Sequence, residues 1–188
     1  MNEQSGPPQA HPHLGGNIRF CIVCGSSLTY RAWEEGDGSM QLCCTNPDCN
    51  NVHFLDPKLA AGVIPTVNGK AVIIQRMHNP GKGLWTFPGG FVNRGEVVSA
   101  AAAREALEEA GIDVKVGHLL GVYSFPENPT VLIVYTGEVV DGEPRALAES
   151  TDVRLVAPEE IPYDELAFDT TRAAFRDWHF WMTEGKLP

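Results

Sequence analysis

Three carboxylates crowd one short stretch of the chain, Arg104-Glu105-Ala106-Leu107-Glu108-Glu109-Ala110-Gly111. If that stretch is helical, Glu105, Glu108 and Glu109 fall within about a 100° sector of its surface. Like charges at i, i+3 and i+4 repel, each exposed pair costing about 0.2–0.5 kcal/mol. They also lie toward the C-terminal half of the helix, where the macrodipole favours cations. A helix built for stability alone would carry lysine there. The pattern becomes favourable when hard divalent cations occupy it, because Mg²⁺ and Mn²⁺ take carboxylate oxygens and share the remaining positions with water and phosphate. Arg104 can grip a neighbouring carboxylate bidentately and fix its rotamer. Glu96, in the loop before the helix, can pair with it from the other side. A solvated acidic face is the bland explanation of a lone Glu-Glu pair, and Arg104 with Glu96 weighs against it here.

The cysteines form a second cluster. Cys21-Ile-Val-Cys24 and Cys44-Thr-Asn-Pro-Asp-Cys49 are two close pairs separated by nineteen residues. Each pair can bite one tetrahedral Zn²⁺ from a turn, and two such turns joined by a β-hairpin make a zinc ribbon. Four cysteines leave no open position for water, so the metal would be structural. Cys43 and His53 compete as ligands, and the spacing does not decide between Cys43 and Cys44. Reduced thiols without metal are the plainer alternative. Five cysteines is an odd number, which argues against a closed disulfide framework.

The elements that must position these groups follow from punctuation and period. Residues 1–17, rich in Gly, Pro and His, are expected to be a disordered tail. Residues 18–56 are poor in aliphatics and need a staple, so they are assigned to the zinc ribbon. Residues 57–188 carry the larger core. Ala61–Val67 and Ala71–Met77 are apolar runs joined by Asn68-Gly69, a pair suited to a type I′ turn, which predicts a β-hairpin. A short strand is expected at Leu84–Phe87 and a helix over Val97–Ala110, started by Ser99 or a neighbour and ended by Gly111. Strands are expected at Val114–Val122, Val131–Val140 and Asp152–Ala157, with a C-terminal helix over Thr170–Glu184. Strands around one helix with another at the end suggest mixed α/β or α+β layers.

Composition removes other functions. Lys+Arg 14 against Asp+Glu 24 gives a net charge of −10. Ten Asp/Glu stand against two Arg between Gly137 and Asp169. Phosphate neutralisation needs clustered Lys and Arg, so a nucleic-acid partner is disfavoured. No apolar run approaches the roughly 18 residues of a membrane span, and no export signal is expected, so a cytoplasmic location is the expectation. Arg76 and Lys82 flank the loop leading toward Gly89 and Gly90, where either can meet phosphate. Trp85 and Phe87 can stack on a base, although strand aromatics more often belong to a core.

Gly90, Glu96, Arg104, Glu105, Glu108, Glu109, Gly111 and Ile112 match in order and spacing the Nudix box of Nudix hydrolases over 23 residues, with Ala106 small where a larger aliphatic is usual. A zinc ribbon ahead of such a domain resembles the branch containing NADH, FAD and ADP-ribose pyrophosphatases. The approach Gly83-Leu84-Trp85-Thr86-Phe87-Pro88 and the tail Glu160–Phe168 are similar to that branch as well. The resemblance implies an α/β/α sandwich with a mixed sheet and hydrolysis of a diphosphate linking a nucleoside to another moiety. It implies Glu105, Glu108 and Glu109 as Mg²⁺ or Mn²⁺ ligands, Glu96 and Arg104 as positioning residues, and backbone contacts from Gly89 and Gly90. A base outside the box is often recruited in the family; Glu149 is the first candidate, with Asp152 and Glu127 behind it. Phe125-Pro126 and the absence of an NADH-type signature favour FAD or ADP-ribose over NADH. Dimers are common among related enzymes. The competing expectation is a ligand sensor without hydrolysis, or a nucleic-acid-binding regulator acting through the zinc ribbon.

Overall fold

Asn68 and Gly69 adopt φ of 52° and 78°, the left-handed pair that a tight hairpin turn requires. They join β4 (Lys58–Val67) to β5 (Lys70–Arg76) in this computed structural model. The structure describes residues 18–33, 36, 38–126, 128–147 and 149–186. The tail expected over 1–17 and the candidate Glu127 lie outside the described residues. The chain divides into two compact units on either side of Pro57 and Lys58.

In the first unit, β1 (Leu28–Ala32), β2 (Met40–Cys44) and β3 (Val52–His53) form an antiparallel sheet in that order. Leu42, Cys43, Cys44 and Cys21 are buried, while Phe20, Ile22 and Val23 are exposed. That is too little apolar burial to hold a fold, as the composition implied.

In the second unit the hairpin diverges beyond its turn. β4 runs parallel to β9 (Thr130–Asp141) from Lys58↔Thr130 to Thr66↔Glu138, and β5 runs antiparallel to β10 (Ser150–Val156). The main order is β10-β5-β4-β9-β8, with β8 spanning Asp113–Tyr123. Two short strands complete the sheet: β6 (Trp85–Thr86) on β5 and β7 (Gly89–Phe91) on β4. The strand expected at Leu84–Phe87 therefore shrinks to two residues. A second strand lies where the sequence suggested loop, because Gly89 and Gly90 bring their backbone onto Gly62 and Ala61.

Side chains alternate across the sheet as strand period demands. Ala61, Val63, Val72 and Ile74 face α1 (Val98–Ala110), against Ala101, Ala102, Ala106 and Ala110. Ile64, Ala71 and Ile73 face α2 (Asp169–Glu184), against Ala174, Phe175 and Trp178. A sheet covered by one helix on each face is the expected α/β/α sandwich with a mixed sheet. Gly111 ends α1 at φ 65°, its N–H donating to Leu107 O. The start of α1 differs from expectation: Val97 is the N-cap, with no side-chain cap, and Ser99 lies inside the first turn. The entry is set by a turn in which Glu96 N–H donates to Asn93 O.

Candidate active site and metal-ligating groups

β7 leads directly into the loop before α1, so strand and helix converge on one cleft. Its volume is 660 Å³, and its wall includes Glu105, Glu108, Glu109, Arg104, Gly89 and Gly90. Gly89 N–H donates to Glu109 Oε2 at 2.9 Å, tying the end of the helix to the strand. Gly90 has no room for a side chain: a Cβ there would stand 2.5 Å from Glu105 Oε1. Glycine at this position lets the carboxylate lie against backbone.

Arg104 organises the rest. Its Nε donates to Glu96 Oε1 at 2.8 Å, and its Nη2 to Glu96 Oε2 at 3.2 Å and Phe91 O at 3.1 Å. Its Nη1 reaches Glu105 Oε1 at 2.7 Å and Glu108 Oε2 at 3.1 Å. Asn93 N–H donates to Glu96 Oε2 at 2.9 Å. One guanidinium thus holds three carboxylates and joins the loop to the helix, a task for a planar fork and not for an ammonium.

The carboxylates differ sharply in charge preference. The Arg104 guanidinium, with help from Asn93 N–H, holds Glu96 down at about 2, so it is ionised at any working pH. Burial pushes Glu109 up to about 7; Gly89 N–H opposes this, while Glu105 and Glu149 add repulsion. Burial also raises Glu105, against the pull of Arg104. Near neutrality the cleft therefore holds more negative charge than Arg104 balances, carried entirely on oxygen. That donor set fits a hard divalent cation.

The structure brings some candidates together and separates others. Glu149 is exposed and lines the same cleft, held by Met77 N–H donating to its carbonyl at 2.8 Å. Arg76 lines it too, its Nε donating to Pro80 O at 2.9 Å and its guanidinium lying 5.1 Å over the Phe168 ring. Phe87 is buried at the cleft floor. Trp85 does not reach the cleft: it is 1% exposed in the core beneath α2, with Arg154 4.2 Å over its ring, so it cannot stack on a substrate base. Lys82 is exposed outside the cleft wall, and Asp152 pairs instead with Arg154 at 3.6 Å. Two residues missed in the sequence are Phe91 and Phe168. Phe91 is 54% exposed in the cleft wall with Lys58 Nζ 4.8 Å over its ring. Only its neighbour Gly90 hinted at it.

In the first unit the Sγ atoms of Cys21, Cys24, Cys44 and Cys49 all lie within 4.8 Å of one another. Cys21 and Cys49 are 3.8 Å apart, and Cys24 and Cys44 3.4 Å. Four thiolates about 2.3 Å from a tetrahedral Zn²⁺ stand roughly 3.8 Å apart, so the cluster fits that ion. Val23 N–H and Asn46 N–H each donate to a cysteine sulfur, on Cys21 and Cys44, at 3.4 Å. Cys43 Sγ points instead to Gln41 O at 3.6 Å, as strand alternation requires of Cys44's neighbour.

Residues 56–179 match the NUDIX domain family. The chain is a Nudix hydrolase. An ADP-ribose pyrophosphatase from Methanocaldococcus jannaschii is 36% identical over 132 residues, covering 68% of this chain and 76% of that protein. An NAD-capped RNA hydrolase NudC from Stutzerimonas stutzeri is 29% identical, over 66% of this chain. The chain spans 64% of a MutT-like protein from Streptomyces ambofaciens and 42% of that NudC. A crystal structure of a NUDIX hydrolase from Nitrosomonas europaea has TM-score 0.82 and 32% identity, covering 90% of this chain and 95% of its own. That coverage exceeds what the Nudix unit alone supplies, so it extends into the cysteine-bearing unit. Membership of this family and the relative named ADP-ribose pyrophosphatase support hydrolysis of a pyrophosphate linkage. Among the described residues no helix is long and apolar enough to cross a membrane.

Proposed function

We propose that this Nudix hydrolase cleaves the diphosphate of a nucleoside diphosphate linked to another moiety, with ADP-ribose or FAD ahead of NADH, and releases a nucleoside monophosphate. The observation that carries the reading is Glu109, buried in the cleft wall, raised toward neutrality and anchored by Gly89 N–H beside Glu105. A buried carboxylate among carboxylates costs stability unless a cation completes it. Glu105, Glu108 and Glu109 would hold Mg²⁺ or Mn²⁺, which supplies Lewis-acid neutralisation of diphosphate charge and acidification of water. Arg104 fixes Glu105 and Glu108 and is itself fixed by Glu96. Glu149, exposed in the wall of the same cleft, takes the proton of the attacking water. Arg76, pinned through Nε and stacked on Phe168, presents its remaining donors to a phosphate oxygen. Phe91 and Phe168 offer apolar surface to the organic ends of the substrate. The relative named ADP-ribose pyrophosphatase supports the substrate preference. Zn²⁺ at the four cysteines holds the first unit folded, in a domain arrangement of ribbon over 18–56 and Nudix unit over 57–188.

The test is a panel of ADP-ribose, FAD, NADH and diadenosine polyphosphates in Mg²⁺, scored by kcat/KM with product analysis. Release of AMP from at least one is expected. Tight binding throughout with no turnover refutes hydrolysis and establishes a sensor.

A further inference from the structure

A second hollow of 390 Å³ adjoins the cleft, and Asn128 and Phe168 line both. Its wall is built from the β8–β9 loop, with Phe125, Pro126 and Asn128, and from the start of α2, with Phe168, Asp169 and Arg172. Phe125 is 40% exposed there, a large apolar ring left open to solvent. The cation in this wall is already paired and pinned, with one N–H on each Nη left over. Arg172 Nε donates to Tyr163 O at 3.2 Å, Nη2 to Leu166 O at 2.6 Å, and Nη1 to Asp169 Oδ1 at 3.1 Å. The wall instead offers acceptor capacity: the Asp169 side chain is 83% exposed and engaged through one oxygen. Asn128 Oδ1 takes Thr130 N–H at 3.0 Å, which leaves its Nδ2 as a donor.

Aromatic and proline walls, a carboxylate oxygen facing outward and an arginine held by two carbonyls and by that same carboxylate disfavour a phosphate. They suit a flat, uncharged heteroaromatic ring that carries N–H donors. We infer that this hollow holds the base of the nucleoside diphosphate, an amino-purine, with its exocyclic amine donating to Asp169 and its ring against Phe125, while the diphosphate extends into the cleft. The contact deepens the proposed hydrolytic reading, which supplies the direction in which the substrate lies. Replacing the amine by a carbonyl sets an oxygen against the Asp169 carboxylate, so a hypoxanthine base is disfavoured.

The experiment measures AMP and IMP binding calorimetrically to the full chain, to Phe125→Ala and to Asp169→Asn, alongside kcat/KM for ADP-ribose and its hypoxanthine analogue. AMP should bind the wild type about tenfold more tightly than IMP, a preference that Asp169→Asn removes. Phe125→Ala should weaken both by about tenfold. Melting temperatures check folding, and Asp169→Ser replaces Asp169→Asn should that variant not fold. Equal binding of AMP and IMP to the wild type, no AMP binding at millimolar concentration, or a preference that survives at position 169 overturns the assignment. Hydrolysis of ADP-ribose and its analogue at equal kcat/KM refutes the hollow alone. AMP binding that depends on Phe125 and Asp169, with no diphosphate turned over, refutes the hydrolytic reading alone.

Discussion

Glu109→Gln should make the protein more stable and inactive, and the gain should depend on pH. An unperturbed glutamate titrates near 4.5, whereas burial pushes Glu109 up to about 7. A folded-state value above the unfolded one means that the folded form holds its proton longer, so stability falls as pH rises through the interval between them. The penalty is nearly absent below 4.5, grows from about 4.5 to about 7, and is complete above that. At about 1.4 kcal/mol per pH unit it amounts to under ~1 kcal/mol at pH 5 and roughly 3 kcal/mol at pH 8. Glutamine removes the charge while its carbonyl oxygen still accepts Gly89 N–H, so the variant should recover that amount. The assay is urea unfolding at pH 5 and pH 8 in magnesium-free buffer, followed by fluorescence of the buried Trp85 and Trp178. Adding Mg²⁺ should stabilise the wild type by mass action, about 2.7 kcal/mol at a hundredfold excess over Kd, and leave Glu109→Gln nearly unmoved. A variant no more stable than wild type at pH 8, or a difference equal at both pH values, would refute the burial argument.

Arg104→Lys keeps the charge but cannot make the fork to Glu96, Glu105 and Glu108, and should lower kcat/KM about 10–100-fold with little change in melting temperature. Gly90→Ala should fold, since the atom it meets is the end of the Glu105 side chain, yet it should displace that carboxylate; Mn²⁺ titration should show weakened uptake, and unchanged affinity counts against the packing reading. Elemental analysis should find about one zinc per chain, lost in Cys44→Ser and retained in Cys43→Ser. Ala106→Leu should cost ~1–3 kcal/mol in urea unfolding and reduce activity beyond what that loss explains.

What could be read from the chain is whatever depends on local pattern. Asn68-Gly69 announces its hairpin, Gly111 its cap, and the spacing of Glu105, Glu108 and Glu109 their common helical face. What could not be read depends on non-local partners. Trp85 and Phe87 lie two residues apart and look alike in sequence; both pack in the core beneath α2, and only the tertiary fold shows that Phe87 alone also borders the cleft. Cys43 and Cys44 point to opposite sides of β2, and only the register Leu28↔Cys44 and Thr29↔Cys43 with β1 says which side holds the other sulfurs. Ser99 looked like a helix cap because serine often is one. The loop was already closed by Glu96 and Arg104, and the helix begins where that pairing leaves it.

The same logic gives a physical reason for the small side chain at Ala106. Helix α1 has no acidic residue in its first turn, no side-chain cap and glutamates near its C-terminal end, so its own terminal electrostatics oppose it. It is held by packing. The face it turns to the sheet is Ala101, Ala102, Ala106 and Ala110, all 0% exposed against Ala61 and Val63 of β4. Alanine costs the helix nothing in propensity and lets its axis approach the sheet more closely than leucine would. That approach is what Glu109 needs, because its partner is a backbone N–H on β7, itself paired to β4 through Gly62↔Gly89. A larger side chain at 106 pushes the helix outward and lengthens a hydrogen bond of 2.9 Å that anchors the buried carboxylate. The alanine face is therefore part of the site: it sets the helix height at which a glutamate meets the strand.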